Sequence, residues 1–148
     1  MKLTFLLGQE SKASAVVPDY FKHFAYDFGP FDDAVYRDID ALERLGLVST
    51  RSPDSAGAAV WHFSPTMAHQ VDAVYRLTPR GKKYAEALMR AEQSDSGLIR
   101  DLKRIVEEYG QLSHDELLLY VYENYPEYTT KSIIRDQVME ENGSRKKR

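Results

Sequence analysis

Between Phe31 and Val48 the apolar positions recur at helical steps. Val35, Ile39, Leu42 and Leu45 are spaced four, three and three apart, which puts them on one face of a helix over Asp32 to Leu45. Asp32 stands where an N-cap belongs, and Phe31 and Tyr36 occupy the two positions of a hydrophobic staple. Gly46 supplies a left-handed residue after the last turn, and Leu47 can fold back on Leu42 as in a Schellman motif. Upstream, Lys2 to Leu7 reads as a short helix with Leu3, Leu6 and Leu7 on one side, followed by a small-residue connector from Ser11 to Pro18. From Tyr20 to Phe28 the period drops to two: Phe24, Tyr26 and Phe28 alternate with His23, Ala25 and Asp27, a half-buried strand that Gly29-Pro30 ends.

Downstream, Leu47 to Arg51 reads as a strand leaving the helix directly. Val71, Ala73, Tyr75 and Leu77 alternate with Asp72 and Arg76 as a second strand. The two make a hairpin with a long tip, in which only Val60 to Phe63 looks structured. Thr78-Pro79 opens the next helix as N-cap and N1, with Tyr84, Ala87, Leu88 and Ala91 as its core face. After a break at Gln93 to Ser96, Leu98, Ile99, Leu102, Ile105, Val106 and Tyr109 mark another helix, ending at Gly110. Ser113 and Glu116 form a capping box ahead of Leu117, Leu118, Val121 and Tyr122, and Pro126 stops that helix. A last helix is expected from Thr130 to about Glu141, then a basic tail over 142–148. The expected fold class is α+β, mainly helical: a winged helix-turn-helix over 1–92 with a small antiparallel sheet, extended by helices over 96–141 packed on it as one domain.

Composition narrows the class. The chain has 148 residues, 43% of them apolar, enough for a real core. It has no cysteine, which removes disulfides and thiolate metal sites and suits a reducing compartment. The opening apolar stretch is cut by Gly8, Gln9 and Glu10, shorter than a signal-peptide core of about 7–15 residues. No stretch approaches the roughly 20 apolar residues of a membrane span. A cytoplasmic location and no membrane partner are expected. The net charge of −3 means that nucleic-acid binding would need a local patch.

In a winged helix, the helix before the hairpin is the recognition helix and the hairpin is the wing. The order seen here, a capped helix ending Leu45-Gly46-Leu47-Val48, two strands, then Leu77-Thr78-Pro79-Arg80-Gly81, resembles the YwgA-like and Panacea-related winged-helix family of predicted transcriptional regulators. The likeness includes Lys2 to Leu7, Phe28-Gly29-Pro30-Phe31 leading to Val35-Tyr36, Tyr75-Arg76 before the Leu77 motif, and Leu117 to Pro126. It implies a DNA-binding regulator or an antitoxin-like protein that docks a partner, and it brings no catalytic residue. Relatives usually carry another helix before the segment matching Lys2 to Leu7. Either Met1 is an internal start, or a partner covers the face that helix would cover. The segment Ser52 to Gln70 is also longer than the resemblance leads one to expect.

Charge pulls the two functions apart. The proposed recognition helix, Asp32 to Leu45, sets Asp32, Asp33, Asp38, Asp40 and Glu43 against Arg37 and Arg44, a net of −3 that phosphates repel. From Thr50 to Lys83, Arg51, Arg76, Arg80, Lys82 and Lys83 oppose Asp54 and Asp72, a net of +3 suited to phosphate contacts. The candidate nucleic-acid residues are therefore Arg51, Arg76, Arg80, Lys82 and Lys83, with Arg37 and Arg44. The candidate protein-contact residues are Trp61, Asp33, Asp38 and Asp40, though acids on an outer helix face also serve simply as solvated charge. Trp61 reads equally as a surface contact or as a plug pinning its loop. A homodimer through the C-terminal helices is a further expectation.

Enzyme chemistry finds no foothold. His23, His62, His69 and His114 fall at no metal-ligand spacing, and Ser113 lacks a nucleophile elbow. No phosphate-binding glycine pattern occurs, so no catalytic residue, cofactor or metal is expected. Tyr120, Tyr122, Tyr125 and Tyr128 suggest base stacking, but Tyr122 and Tyr125 at helical spacing read as core or interface.

Overall fold

Local signals set most of the element boundaries in the computed structural model, which describes residues 1–17, 19–51, 74–91 and 97–145. The elements in order are α1 (Lys2–Glu10), α2 (Ala13–Val16), β1 (Phe24–Tyr26), β2 (Gly29–Phe31), α3 (Ala34–Arg44), β3 (Val48–Arg51), β4 (Val74–Leu77), α4 (Pro79–Ala91), α5 (Leu98–Tyr109), α6 (His114–Asn124), a 3-10 turn (Pro126–Thr129) and α7 (Arg135–Arg145). The chain is α+β and mostly helical, with two antiparallel sheets of two strands each among the described residues. It divides into two compact units. The first joins Met1–Tyr36 to Glu92–Arg148, and the second is Arg37–Ala91.

The first unit holds the core. Phe5 and Leu6 of α1 are fully buried among Ile105 and Tyr109 of α5 and Leu118, Val121 and Tyr122 of α6. The Phe5 ring meets those of Tyr125 and Tyr128 edge-on, with centroids 5.1 and 4.7 Å away. This helix is longer than its leucine pattern suggests, running on through Gly8 to Glu10. The small-residue connector holds one short helix, α2, whose Ala13 is buried.

The expected strand over Tyr20 to Phe28 is corrected to three residues. Asp27 and Phe28 form a turn, and Gly29 to Phe31 returns as β2, pairing Phe24 with Phe31 and Tyr26 with Gly29. Proline breaks a strand only where its nitrogen must donate. In a two-stranded sheet every strand has a free edge, so Pro30 fits opposite Ala25. Asp32 caps α3 as expected, one carboxylate oxygen taking the Ala34 N–H at 2.8 Å, the other the Lys22 N–H at 2.6 Å. The Phe31 and Tyr36 rings face each other at 6.0 Å, completing the staple.

At the far end, the Ser113 and Glu116 box is formed in full. The last helix starts later than expected, at Arg135, because Ser132 and Ile133 are tied to the Asp27 carbonyl at 3.1 and 3.0 Å. It also runs past Glu141 to Arg145, into the segment expected to be a tail.

In the second unit, α3 closes with both Schellman bonds, Leu47 N–H to Leu42 O at 2.9 Å and Gly46 N–H to Glu43 O at 2.8 Å, with Gly46 at φ +69°. Strands β3 and β4 then pair Val48 with Leu77 through Arg51 with Val74. Of the face expected for α3, Val35 is buried and Ile39 half-buried while Leu42 and Leu45 are exposed; on α4, Tyr84 and Leu88 are exposed. Helical periodicity marks which face is apolar, but burying it takes an opposing layer.

Candidate nucleic-acid interface

A single backbone carbonyl organises the second unit. Leu47 O accepts the Thr78 N–H at 3.0 Å, while the Thr78 hydroxyl donates to Gly46 O at 2.7 Å and takes the Gly81 N–H at 3.0 Å. Thr78 is thus the N-cap of α4 and also its tie to the end of α3. The helix lies so close that a Cβ on Gly81 would stand 1.9 Å from Leu47 O. These contacts give the Leu-Gly-Leu and Leu-Thr-Pro-x-Gly stretches a shared physical purpose.

This frame displays the basic residues. Direct cross-strand partners point to one side of a sheet, as do alternate residues of one strand, so Ser49, Arg51, Val74 and Arg76 share a face. Arg51 and Arg76 are diagonal neighbours on it, and both are exposed. Arg80, Lys82 and Lys83 follow in the first turns of α4, also exposed, where no acidic residue accompanies them. Cations at a helix N-terminus oppose its dipole, at a cost of roughly 0.3–1 kcal/mol each. Among the described residues, none of these five side chains is in an ion pair.

The acids of α3 are differently placed. Asp40 pairs with Arg44 one turn on, and Glu43 accepts the Thr50 N–H at 3.0 Å, supporting the start of the hairpin. Asp38 and Arg37 are exposed on the same helix, and Asp33 lies before its first turn in the other unit. Trp61 lies outside the described residues, as do His62 and His69. Over the whole second unit, eight basic residues stand against six acidic ones, whereas the first unit has twelve against seventeen. The chain's negative charge thus belongs to the first unit alone.

That first unit contains a polar cluster that the spacing of its tyrosines did not reveal. Tyr109, Tyr120 and Tyr125 all donate to the Glu10 carboxylate, at 2.6, 3.1 and 2.7 Å, and the Tyr109 and Tyr120 hydroxyl oxygens lie 2.9 Å apart. Burial and the adjoining carboxylate raise the Tyr109 and Tyr125 hydroxyls well above the ordinary phenol range. Tyr122 binds Ser132 at 2.6 Å, and Tyr128 packs on Phe5. All four tyrosines considered for stacking therefore serve the fold. The only sequence signal of this cluster was an acid closing an apolar helix. Nearby, burial lowers Lys2, bonded to Phe28 O, to about 8 and His23 to about 4. His114 opens α6 beside its cap.

Among the described residues no cluster of three His, Asp or Glu is placed to hold a metal ion, and no helix is long and apolar enough to cross a membrane. Compared with protein-family models, with curated proteins and with solved structures, the chain matches none.

Proposed function

We propose that Arg37–Ala91 is a winged-helix nucleic-acid-binding module of a DNA-binding transcriptional regulator. Its contacts come from the hairpin and the start of α4, with no role for α3 in reading bases. The observation that carries this proposal is a set of five exposed cations, in no ion pair among the described residues: Arg51, Arg76, Arg80, Lys82 and Lys83, on one hairpin face and the following helix start. Three of them oppose the α4 dipole, a cost that a bound phosphate would offset. On α3, Arg44 is held by Asp40, and Asp38 stays exposed, so that helix offers bases little to read. The helix, hairpin, helix order and the resemblance to winged-helix regulators support the same assignment.

The test is titration of the full chain against labelled duplex DNA at about 50 and 200 mM salt. Binding is expected to weaken steeply with salt. Replacing Arg80, Lys82 and Lys83 by alanine should lower the slope of log K on log salt by about 2 to 3, at about 0.9 for each phosphate no longer neutralised. An unchanged affinity and slope in the triple variant would reject this site.

A second function, a protein-docking or antitoxin-like module, draws on the apolar surface of the same unit. Leu45 is 57% exposed and Tyr84 53%, with Leu77 and Leu88 also open. No DNA binding at low salt, together with a partner recovered in stoichiometric amount from native cells, would favour it.

A further inference from the structure

We propose that α5 pairs antiparallel with α5 of a second copy of this chain, along the stripe formed by Leu102 and Val106. On this helix Ile105 and Tyr109 are 1% and 4% exposed, while Leu102 and Val106 remain 36% and 48% exposed. The apolar band of α5 is therefore wider than the core it covers. Its uncovered edge is one turn long and is flanked by Lys103 and Glu107.

The charges identify the occupant. Arg100, Lys103 and Arg104 lie toward the N-terminal end and Glu107 and Glu108 at the C-terminal end, with no basic residue in the last turn. Apart from Asp101, this order runs against the helix dipole. A lysine preceding a glutamate by four is also the weaker order for an intrahelical pair. Arg104 and Glu108 already bind each other at 3.3 Å, and Arg104 also reaches Glu10 O. Among the described residues Lys103 and Glu107 are in no ion pair.

An antiparallel, two-fold pairing of two α5 helices reverses the disadvantage. Lys103 of each copy then faces Glu107 of the other, with Leu102 and Val106 of both copies between them. A parallel pairing would place this flank of the two copies on opposite sides of the seam, so only the antiparallel one joins Lys103 to Glu107. The paired surface is self-complementary, which a foreign partner would not require. With so few apolar groups at its centre, the pair belongs with weak interfaces, of roughly micromolar affinity.

Sedimentation velocity of the full chain from about 1 to 200 μM tests this. A concentration-dependent dimer is expected. Lys103→Glu alone and Glu107→Lys alone should each weaken it about tenfold or more, because each sets like charges across the interface twice. The double exchange should restore it. Both positions are exposed, so the melting curves should barely move, and Val106→Glu should abolish the dimer on the same criterion. A chain that stays monomeric throughout, single exchanges without effect, or a double exchange that fails to restore association would each overturn the proposal.

Discussion

The two units spend their apolar residues in opposite ways. The first sinks Phe5, Leu6, Ile105 and Val121 to 1% exposure or less and fastens the surrounding tyrosine hydroxyls to Glu10 and Ser132. Among its described residues the second buries Leu47 and Gly81 and leaves Leu45, Leu77, Tyr84 and Leu88 open. Its order rests on backbone geometry: a Schellman turn, an N-cap threonine and a helix pressed on a carbonyl. Charge divides along the same line, with the acids concentrated in the first unit. Core burial stabilises one unit, and a hydrogen-bonded backbone frame holds basic residues outward in the other.

Deleting side chains should expose the contrast most sharply. Phe5→Ala removes a fully buried ring and should cost about 3–5 kcal/mol in chemical denaturation, whereas Leu88→Ala in the second unit should stay within about 0.5 kcal/mol. Comparable losses at the two sites would erase the distinction. The second unit should be vulnerable through its backbone instead. Gly81→Ala adds a better helix former, worth about 1 kcal/mol. Its Cβ, however, would meet Leu47 O at 1.9 Å, and the clash should win by up to about 2 kcal/mol. Loss of amide hydrogen-exchange protection at Thr78 and Gly81 would report it, and unchanged protection would show that the close approach is not needed.

The smallest expected effect is a pH response confined to the first unit. His23 is lowered to about 4 by burial, partly opposed by the Asp32 carboxylate, and its ring lies 5.5 Å from that of Phe5. Because the folded value lies below the ordinary 6.5, the unfolded chain binds the extra proton first as pH falls. Stability should therefore be full above about pH 6.5 and decline toward pH 4, by about 1–2 kcal/mol once partial exposure is allowed for. His23→Gln should flatten that part of the stability curve; a slope that survives the substitution would assign it to other groups.

The pattern of what was legible follows from range. Asp32, Phe31 with Tyr36, Gly46-Leu47, Thr78-Pro79 and Ser113 with Glu116 act on neighbours within a few residues, so both ends of α3 and the starts of α4 and α6 could be read directly. β2 was hidden because Pro30 reads as a stop unless the strand has a free edge. Periodicity identified the apolar faces of α3 and α4 but carried no information about whether a second layer covers them. The basic residues were visible as a local charge excess, while their shared hairpin face required the register of β3 against β4. The tyrosine cluster was illegible in principle: Glu10 and its partners are about 100 residues apart, and spacing within α6 names neither the acceptor nor the direction of a hydroxyl.

That separation also bears on synthesis. Phe5 and Leu6 emerge from the ribosome about 100 residues ahead of Ile105 and Val121, the side chains that cover them. At about 5–20 residues per second, the apolar side of α1 waits roughly 5–20 s for its partners. During that interval Arg37–Ala91 is complete, and its strand pairs and the tie from Thr78 to Gly46 join residues no more than 32 apart, against about 100 in the core. The segment lying between the two halves of the core is thus available to fold first. Closing the core then brings together the ends of a partly folded insertion rather than of a long open coil, which shortens the effective loop and lowers the entropy lost on closure.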